Sequence, residues 1–449
     1  MFPNRRTWAW LAISVMVFAV YASLLPFHFR RVPLDPAWQQ FRAIMTSPSS
    51  DQISRTNFLA NVLLFVPIGF GLAGAFLLDR TRPLALIPAA CAVVPISIAV
   101  SLTAEFLQLF VPGRITALSD VEAQTAGCLI GLAAWAVMGQ ALTDWLRSAR
   151  DSSHTDRLAR ALLAYAAAWV FVNLAPFDIT VDLGDLATRV RTGLINIAPF
   201  ATEGRPASLV VWDAVAAMVS AVPLGVLGLV VWMPRHVRRR PLQAFALGAA
   251  LVGSIELAQV FISSHGADVT DVIFGCVGVA AGVSIGTRVV AAGRPIPSTF
   301  QGPRLAAWST ASLGAWCALL AGYHWMPYNF GIDVPSIQRK LATMSIVPFA
   351  GYAKGSDLNA FNDLLVKLGL SAPFGVIAAY VSRGAQDRTL LLVAWSAVAA
   401  LLFGAIEFGQ LFLPSRTPDP TDVLVGIAGT LAGLAIGRWL QGGSGSRLP

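Results

Sequence analysis

The sequence contains a motif of polar residues that interrupts long apolar runs at three places. Its first copy, EFLQLFVPGRITALSD, begins at Glu105, and two further copies, ELAQVFISSHGADVTD and EFGQLFLPSRTPDPTD, begin at Glu256 and Glu407. A carboxylate inside an apolar membrane segment costs something like 2 to 3 kcal/mol to insert, so such residues commonly have a function. The glutamates are therefore candidates for binding a ligand or carrying a proton.

The spacing within each copy brings further polar side chains close to the glutamate. A glutamine lies three residues after it, so on a helix the two share one face. Twelve residues beyond the glutamine, an aspartate begins the next apolar segment. These residues are Gln108, Gln259 and Gln410, followed by Asp120, Asp271 and Asp422. The aspartates could instead cap the helix that they begin, so both roles stay open.

A basic residue lies midway through two copies of the motif. Arg114 and Arg416 occupy this position in the first and third copies, and His265 occupies it in the second. Arginine offers phosphate a planar set of donors that histidine cannot reproduce, so we expect the second copy to bind anions more weakly. Alternatively, the arginine forms an ion pair with the glutamate that holds the loop against the helix.

Another apolar segment of each repeat also begins with a polar residue. Asn57, Asp213 and Asp363 each stand ten residues before the proline of a Pro-x-Gly sequence. A proline inside a helix removes one backbone hydrogen bond and can kink the helix, either to shape a cavity or only to improve packing. We expect these three residues to join the motif residues in one polar pocket per repeat.

The composition predicts an integral membrane protein. Of its 449 residues, 56% are hydrophobic and only 12% are charged, and the mean hydropathy is +0.65. About twelve apolar runs, one of them at 304–326, are long enough at about 1.5 Å per residue to cross a hydrocarbon core of about 30 Å. The predicted fold is therefore all-α, with about twelve transmembrane helices.

The spacing of the motif divides the chain into three units. Glu105 to Glu256 and Glu256 to Glu407 are each 151 residues, and polar, arginine-containing stretches separate the units. We predict units at 1–150, 151–300 and 301–449, with four transmembrane helices in each. Because four is an even number, successive units enter the membrane in the same direction, which makes the repeats parallel.

The arginines and lysines predict the orientation of the chain. If the amino terminus is cytoplasmic, most of them fall on the cytoplasmic side, in agreement with the positive-inside rule. Both termini are then cytoplasmic, and every copy of the motif lies at the outer face. The arginines lie in short clusters between apolar runs, where they set the topology, and this explains the net charge of +8. We therefore expect the lipid bilayer as a partner and no nucleic acid.

The cysteines and histidines predict no metal site. Cys91, Cys128, Cys276 and Cys317 lie in apolar stretches without a Cys-x-x-Cys spacing, and the five histidines are scattered. Neither Ser-x-x-Lys nor Gly-x-Ser-x-Gly marks an activated nucleophile. The sequence thus indicates no particular cofactor and leaves open whether the protein is an enzyme.

The arrangement of these residues resembles the VanZ-like family, whose namesake is linked to teicoplanin resistance. The resemblance rests on the Asn or Asp at the end of a span, the helical Pro-x-Gly, Glu-x-x-Gln-x-Phe, a loop with arginine, and Asp-Val before a glycine-bearing span. It covers nearly the whole chain as three tandem copies, although the second has Ser263 where the others have Pro112 and Pro414. It implies a bacterial inner (cytoplasmic) membrane protein that acts near lipid-linked cell-wall or polysaccharide precursors.

Two classes of function follow from the residues and the resemblance. In the first, an outer-face pocket binds or processes an anionic lipid or lipid-linked glycan. Arginine would meet phosphate, and the carboxylates would act as acid and base or hold a divalent cation. In the second, the glutamates belong to a proton-coupled transporter or lipid flippase, although apart from Lys367 few ionisable residues lie near the middle of a span.

Overall fold

The structure is a computed structural model that describes residues 3–46, 55–80, 85–149, 152–175, 177, 179–200, 206–231, 240–291, 303–352 and 357–441. Within these residues the chain is mainly α-helical, and its sheet consists of two strands of two residues each. The predicted all-α class is confirmed. Two compact units are present, and each is described by itself.

The first compact unit comprises residues 1–151 and 347–361. Its helices are α1 (Arg5–Ser23), α2 (Leu34–Thr46), α3 (Arg55–Leu77), α4 (Leu86–Gln108), α5 (Leu118–Ala134) and α6 (Gln140–Ser148), with a π-helical segment at Trp135–Gly139. Just after α3, the Asp79 carboxylate accepts hydrogen bonds from Arg147 at 2.7 and 2.9 Å. These bonds lower the pKa of Asp79 to about 2 and join the end of α3 to α6.

The second compact unit comprises residues 152–346 and 362–449. Its helices are α7 (His154–Leu174), α8 (Leu183–Arg191), α9 (Ala207–Val231), α10 (Arg240–Gln259), α11 (Val269–Ala291), α12 (Pro303–Trp325), α13 (Val334–Thr343), most of α14 (Asp357–Val381), α15 (Arg388–Gln410) and α16 (Pro420–Gln441). The short strands β1 (Ile195–Asn196) and β2 (Ala267–Asp268) pair in parallel. The buried Arg157 of α7 donates a hydrogen bond of 2.7 Å to the Trp439 carbonyl of α16.

The same order of elements occurs three times along the chain. In each repeat a long helix is followed by a short helix and then by three long ones; the repeats are α1 to α5, α7 to α11 and α12 to α16. The backbone repeats as well, since Phe27, Phe177 and Tyr328, after each first long helix, have φ angles of 65°, 61° and 64°. Positive φ angles are uncommon for residues with a side chain. The predicted three-repeat architecture is confirmed.

Glycines bring the second and fourth long helices of each repeat into backbone contact. A Cβ on Gly433 would lie 1.8 Å from the Ala372 carbonyl oxygen, so no residue larger than glycine fits there without movement. Other glycines make the same kind of contact with a carbonyl of the facing helix: Gly69, Gly127 and Gly131 in the first repeat, Gly225, Gly278 and Gly282 in the second, and Gly375 in the third. All three repeats therefore contain the same tightly packed helix pair.

Eleven of the described helices are long and apolar enough to cross a membrane. The twelfth predicted span, at 304–326, corresponds to α12 (Pro303–Trp325), which is not among these eleven. Large apolar side chains such as Val137 and Leu401 are exposed on the spans, as expected for helices in contact with lipid. The chain is a multi-pass membrane protein.

We predict that Gly433→Ala lowers the free energy of unfolding by about 1 to 3 kcal/mol, as overpacked helix contacts do. Gly404→Ala on α15 is the matched control, because a Cβ there meets no atom within 4 Å and alanine favours the helix. Thermal unfolding of the purified protein in detergent measures both variants. Equal midpoints for the two would contradict the close contact of α14 and α16.

Candidate functional site at the motif end of each repeat

In every repeat the motif glutamate accepts a hydrogen bond from a backbone N–H group three residues before the motif aspartate. The pairs are Glu105 Oε2 with Ala117 at 3.1 Å, Glu256 Oε2 with Asp268 at 3.2 Å, and Glu407 Oε2 with Asp419 at 2.8 Å. A carboxylate is favoured there by the free amides at the start of a helix. The glutamate thus holds the motif loop against the third long helix.

The motif arginines bind the end of the first long helix. Arg114 donates to the carbonyls of Ala22 at 2.9 Å and Leu25 at 3.2 Å, and Arg416 donates to that of Met326 at 2.8 Å. Among the ion pairs of the described residues, none joins either arginine to a motif glutamate. The ion pair considered from the sequence is therefore replaced by bonds to carbonyl oxygens.

A further basic residue of each repeat contacts the carbonyls at the end of the third long helix. The sequence pattern did not predict this contact. These residues and their acceptors are Arg30 with Leu109, Arg189 with Gln259 and Val260, and Lys340 with Gln410, Leu411 and Leu413. A cation there satisfies free carbonyls and complements the helix dipole. Burial lowers the pKa of Lys340. The available signal was that every stretch after a first long helix contains basic residues, among them Arg30, Arg189 and Lys340.

In the second repeat, Arg189 also contacts the residue that replaces the motif arginine. Its buried guanidinium donates to the backbone carbonyl of His265, whose ring lies 3.2 Å from Ser264 Oγ. The backbone at position 265 is thus held by an arginine from another element. The imidazole takes no part in that bond.

The motif glutamines of the second and third repeats donate to the first long helix. Gln259 bonds to the Asn173 carbonyl at 2.9 Å, and Gln410 bonds to the His324 carbonyl at 3.5 Å and to Glu407 Oε1 at 3.3 Å. The glutamine therefore connects the third long helix to the first. In the first repeat Gln108 is also buried.

The motif aspartates of the first and third repeats contact a polar residue of the second long helix. Asn61 donates to Asp120 at 3.1 Å, and Lys367 lies 2.7 Å from Asp422. Both partners stand six residues before the helix proline, where the second repeat has Ala217. The sequence pattern pointed to Asn57, one helical turn earlier, and did not predict a role for Asn61.

The three residues predicted at the start of the second long helix differ in their exposure and in their contacts. Asp363 pairs with Lys367 at 2.6 Å and through it reaches Asp422. Asn57 is exposed one helical turn before Asn61, and Asp213 is half-buried on α9. The third repeat therefore brings this predicted residue into a network with its motif aspartate.

Each motif aspartate lies near the glutamate of its own repeat. Asp120 and Arg114 both interact electrostatically with Glu105. Asp271 interacts in the same way with Glu256, and Asp422 with Glu407. The glutamate, the aspartate and the loop between them thus form one polar cluster in each repeat.

The first repeat also has a stripe of buried polar side chains along α4. It consists of Ser97, Ser101, Glu105 and Gln108, which share one helical face. Ser101 Oγ, Glu105 Oε1 and Gln108 Oε1 have no hydrogen-bond partner among the described residues. The stripe runs about 16 Å from the motif into the span, whereas the third repeat has Ala399 and Phe403 at the serine positions.

Comparison with known proteins agrees with this division into repeats. The family model described as VanZ/LLP1 matches the chain three times, over residues 3–139, 162–290 and 313–441. No curated protein and no solved structure matches the chain. Each of the three matches contains one copy of the motif, and the second and third matches begin within the first long helix of their repeat. The chain therefore belongs to the VanZ/LLP1 family, as three successive copies of the family's sequence.

Proposed function

We propose that this VanZ-like membrane protein binds the headgroup of an anionic envelope lipid or lipid-linked glycan at the motif end of its repeats. The observation that carries the proposal is that carbonyl oxygens, and no described carboxylate, hold the side chains of Arg114 and Arg416. A carbonyl group orients a guanidinium without cancelling its unit charge. The charge therefore stays available for a phosphate group.

The position of the arginines along the chain supports a headgroup as the ligand. Arg114 follows the end of α4 and Arg416 follows the end of α15. Both thus lie just beyond an apolar span, at the depth of lipid phosphates. We place this end at the outer face of the bacterial inner membrane, with both termini cytoplasmic, because the opposite loops have more arginine and lysine.

The bonds of the glutamates favour binding as the primary role of the clusters. One oxygen of each glutamate holds the backbone of the motif loop, so in the first and third repeats the carboxylate positions the arginine of the same loop. A reaction on the bound lipid would use the Glu and Asp pair as acid and base. The namesake of the VanZ-like family is linked to teicoplanin resistance, and we propose that this site serves such resistance.

We predict that the double variant Arg114→Ala/Arg416→Ala binds anionic lipid about 10 to 100 times more weakly, as expected for the loss of charge-assisted hydrogen bonds. The measurement is binding of phosphatidylglycerol and of a polyprenyl phosphate to the purified full-length protein in detergent. Phosphatidylcholine, which has no net charge, provides the baseline.

The matched control for this variant is His265→Ala in the second repeat. Histidine is mostly neutral at pH 7.5, and the bond from Arg189 goes to the backbone of residue 265, which alanine retains. Lipid affinity should therefore change less than twofold. If His265→Ala weakens binding as much as the double variant at equal thermal stability, the motif arginines are not the binding groups.

We predict that Glu105→Gln preserves stability and lipid binding, because an amide oxygen can still accept the Ala117 N–H bond. Glu105→Ala should lower the free energy of unfolding by about 0.5 to 2 kcal/mol, as the loss of a helix cap does. Glu122→Gln, at an exposed position of α5, controls for removal of a charge. Loss of lipid binding in Glu105→Gln at unchanged stability would show that the charged carboxylate itself acts on the ligand.

The polar stripe of α4 favours a second candidate function, proton-coupled transport or lipid flipping. Buried oxygens without protein partners are places where water or a transported group binds. Ser101→Phe gives the first repeat the residue that the third repeat has at Phe403, and it should close the stripe. In proteoliposomes, we expect proton flux or lipid flipping to stop while lipid binding persists. A wild-type protein with neither activity would exclude this candidate.

A further inference from the structure

The third repeat brings together three buried side chains that can bind a metal ion. His324 at the end of α12, Glu407 on α15 and Asp422 on α16 each offer one ligand atom, and these atoms lie within 4.8 Å of one another. The exposed fractions of the three residues are 5%, 8% and 7%. Three separate helices thus direct an imidazole and two carboxylates to one buried point.

The imidazole is specific to the third repeat. Asn173 is 151 residues before His324 and Ala22 is 151 residues before Asn173, so neither other repeat has a nitrogen ligand at this position. The second and third repeats nevertheless share a backbone contact at this position. The carbonyls of Asn173 and His324 both accept a hydrogen bond from the motif glutamine. Histidine is therefore not needed for the helix contact, and its ring is available for another role.

The charges around this point favour a divalent cation. Lys367 contacts Asp422 at 2.7 Å and Asp363 at 2.6 Å, and Arg416 and Asp419 also lie near enough to interact electrostatically with this cluster. With Glu407 and these two residues included, four carboxylates, one ammonium and one guanidinium leave a formal charge of about −2 when all are ionised. Buried charge of this kind is costly unless it is paired. A divalent ion would neutralise it.

The ligand atoms are already oriented by other groups. Lys367 bonds to Oδ1 of Asp422, which leaves Oδ2 for a metal ion. Glu407 accepts bonds from the Asp419 N–H group and from the Gln410 side chain. Partners of this kind fix the direction of metal ligands and raise affinity.

We propose that the third repeat binds one divalent transition-metal ion through His324, Glu407 and Asp422. An imidazole with two carboxylates suits Zn²⁺ or Mn²⁺ better than Mg²⁺ or Ca²⁺, which prefer oxygen ligands throughout. Tetrahedral coordination at about 2.0 Å places ligand atoms about 3.3 Å apart, so the ligand atoms, now within 4.8 Å of one another, would move closer when the ion binds. Three protein ligands leave one position open for water or for a phosphate oxygen.

The test is a titration of full-length, chelator-treated protein in detergent with Zn²⁺ alone, followed by metal analysis after desalting. We expect one zinc per chain for the wild type and at least tenfold weaker binding for His324→Asn. This substitution introduces the residue type that the second repeat has at the corresponding position, Asn173. The paired substitution Glu256→Gln/Asp271→Asn in the second repeat is the control and should retain one zinc. No lipid is present, so failure of the lipid proposal would leave this result unaffected.

Three outcomes would overturn the proposal: no stoichiometric zinc in the wild type, full zinc binding by His324→Asn, or loss of zinc in the second-repeat control. If His324→Asn fails to fold, X-ray absorption on the zinc-loaded wild type decides the question. Scattering from one imidazole ring is expected there, and a spectrum with oxygen ligands alone contradicts the site.

Discussion

The bond between a buried glutamate and a backbone N–H group at the start of the next helix determines the arrangement of each repeat. It closes the loop between the third and fourth long helices at the same point in all three copies. In the first and third repeats, the motif arginine of this closed loop contacts the end of the first long helix, and the motif aspartate contacts the second long helix. The carboxylate is tolerated in an apolar span because a helix terminus supplies its hydrogen-bond donor.

The three repeats combine one backbone scheme with three different sets of side chains. Glycine contacts, left-handed residues after the first helix and basic caps on the third helix occur in every copy. The residue facing the motif aspartate differs, being Asn61 in the first, Ala217 in the second and Lys367 in the third. Backbone contacts are thus common to the repeats, while a few buried side chains give each cluster its own charge and hydrogen-bonding groups.

The sequence predicted much of this architecture because membrane spans and repeats are encoded by local composition and by spacing. The helix class follows from apolar run length, the repeats follow from the 151-residue period, and the family follows from the motif residues. The partners of the polar side chains could not be predicted, because they depend on helix rotation and on packing between distant segments. Arg114 has two carbonyl acceptors instead of a nearby carboxylate, and His324 meets Glu407 and Asp422 only after folding.

Hydrogen bonds to carbonyl oxygens make the positions of the basic side chains depend little on ionic strength. Ion pairs at a membrane surface weaken as salt screens the two charges, whereas a short bond between a guanidinium and a carbonyl depends much less on mobile ions. Arg114, Arg189 and Arg416 are held in this second way. Changes in salt concentration would therefore alter the attraction of distant anions to these side chains while leaving the loops that carry them in place.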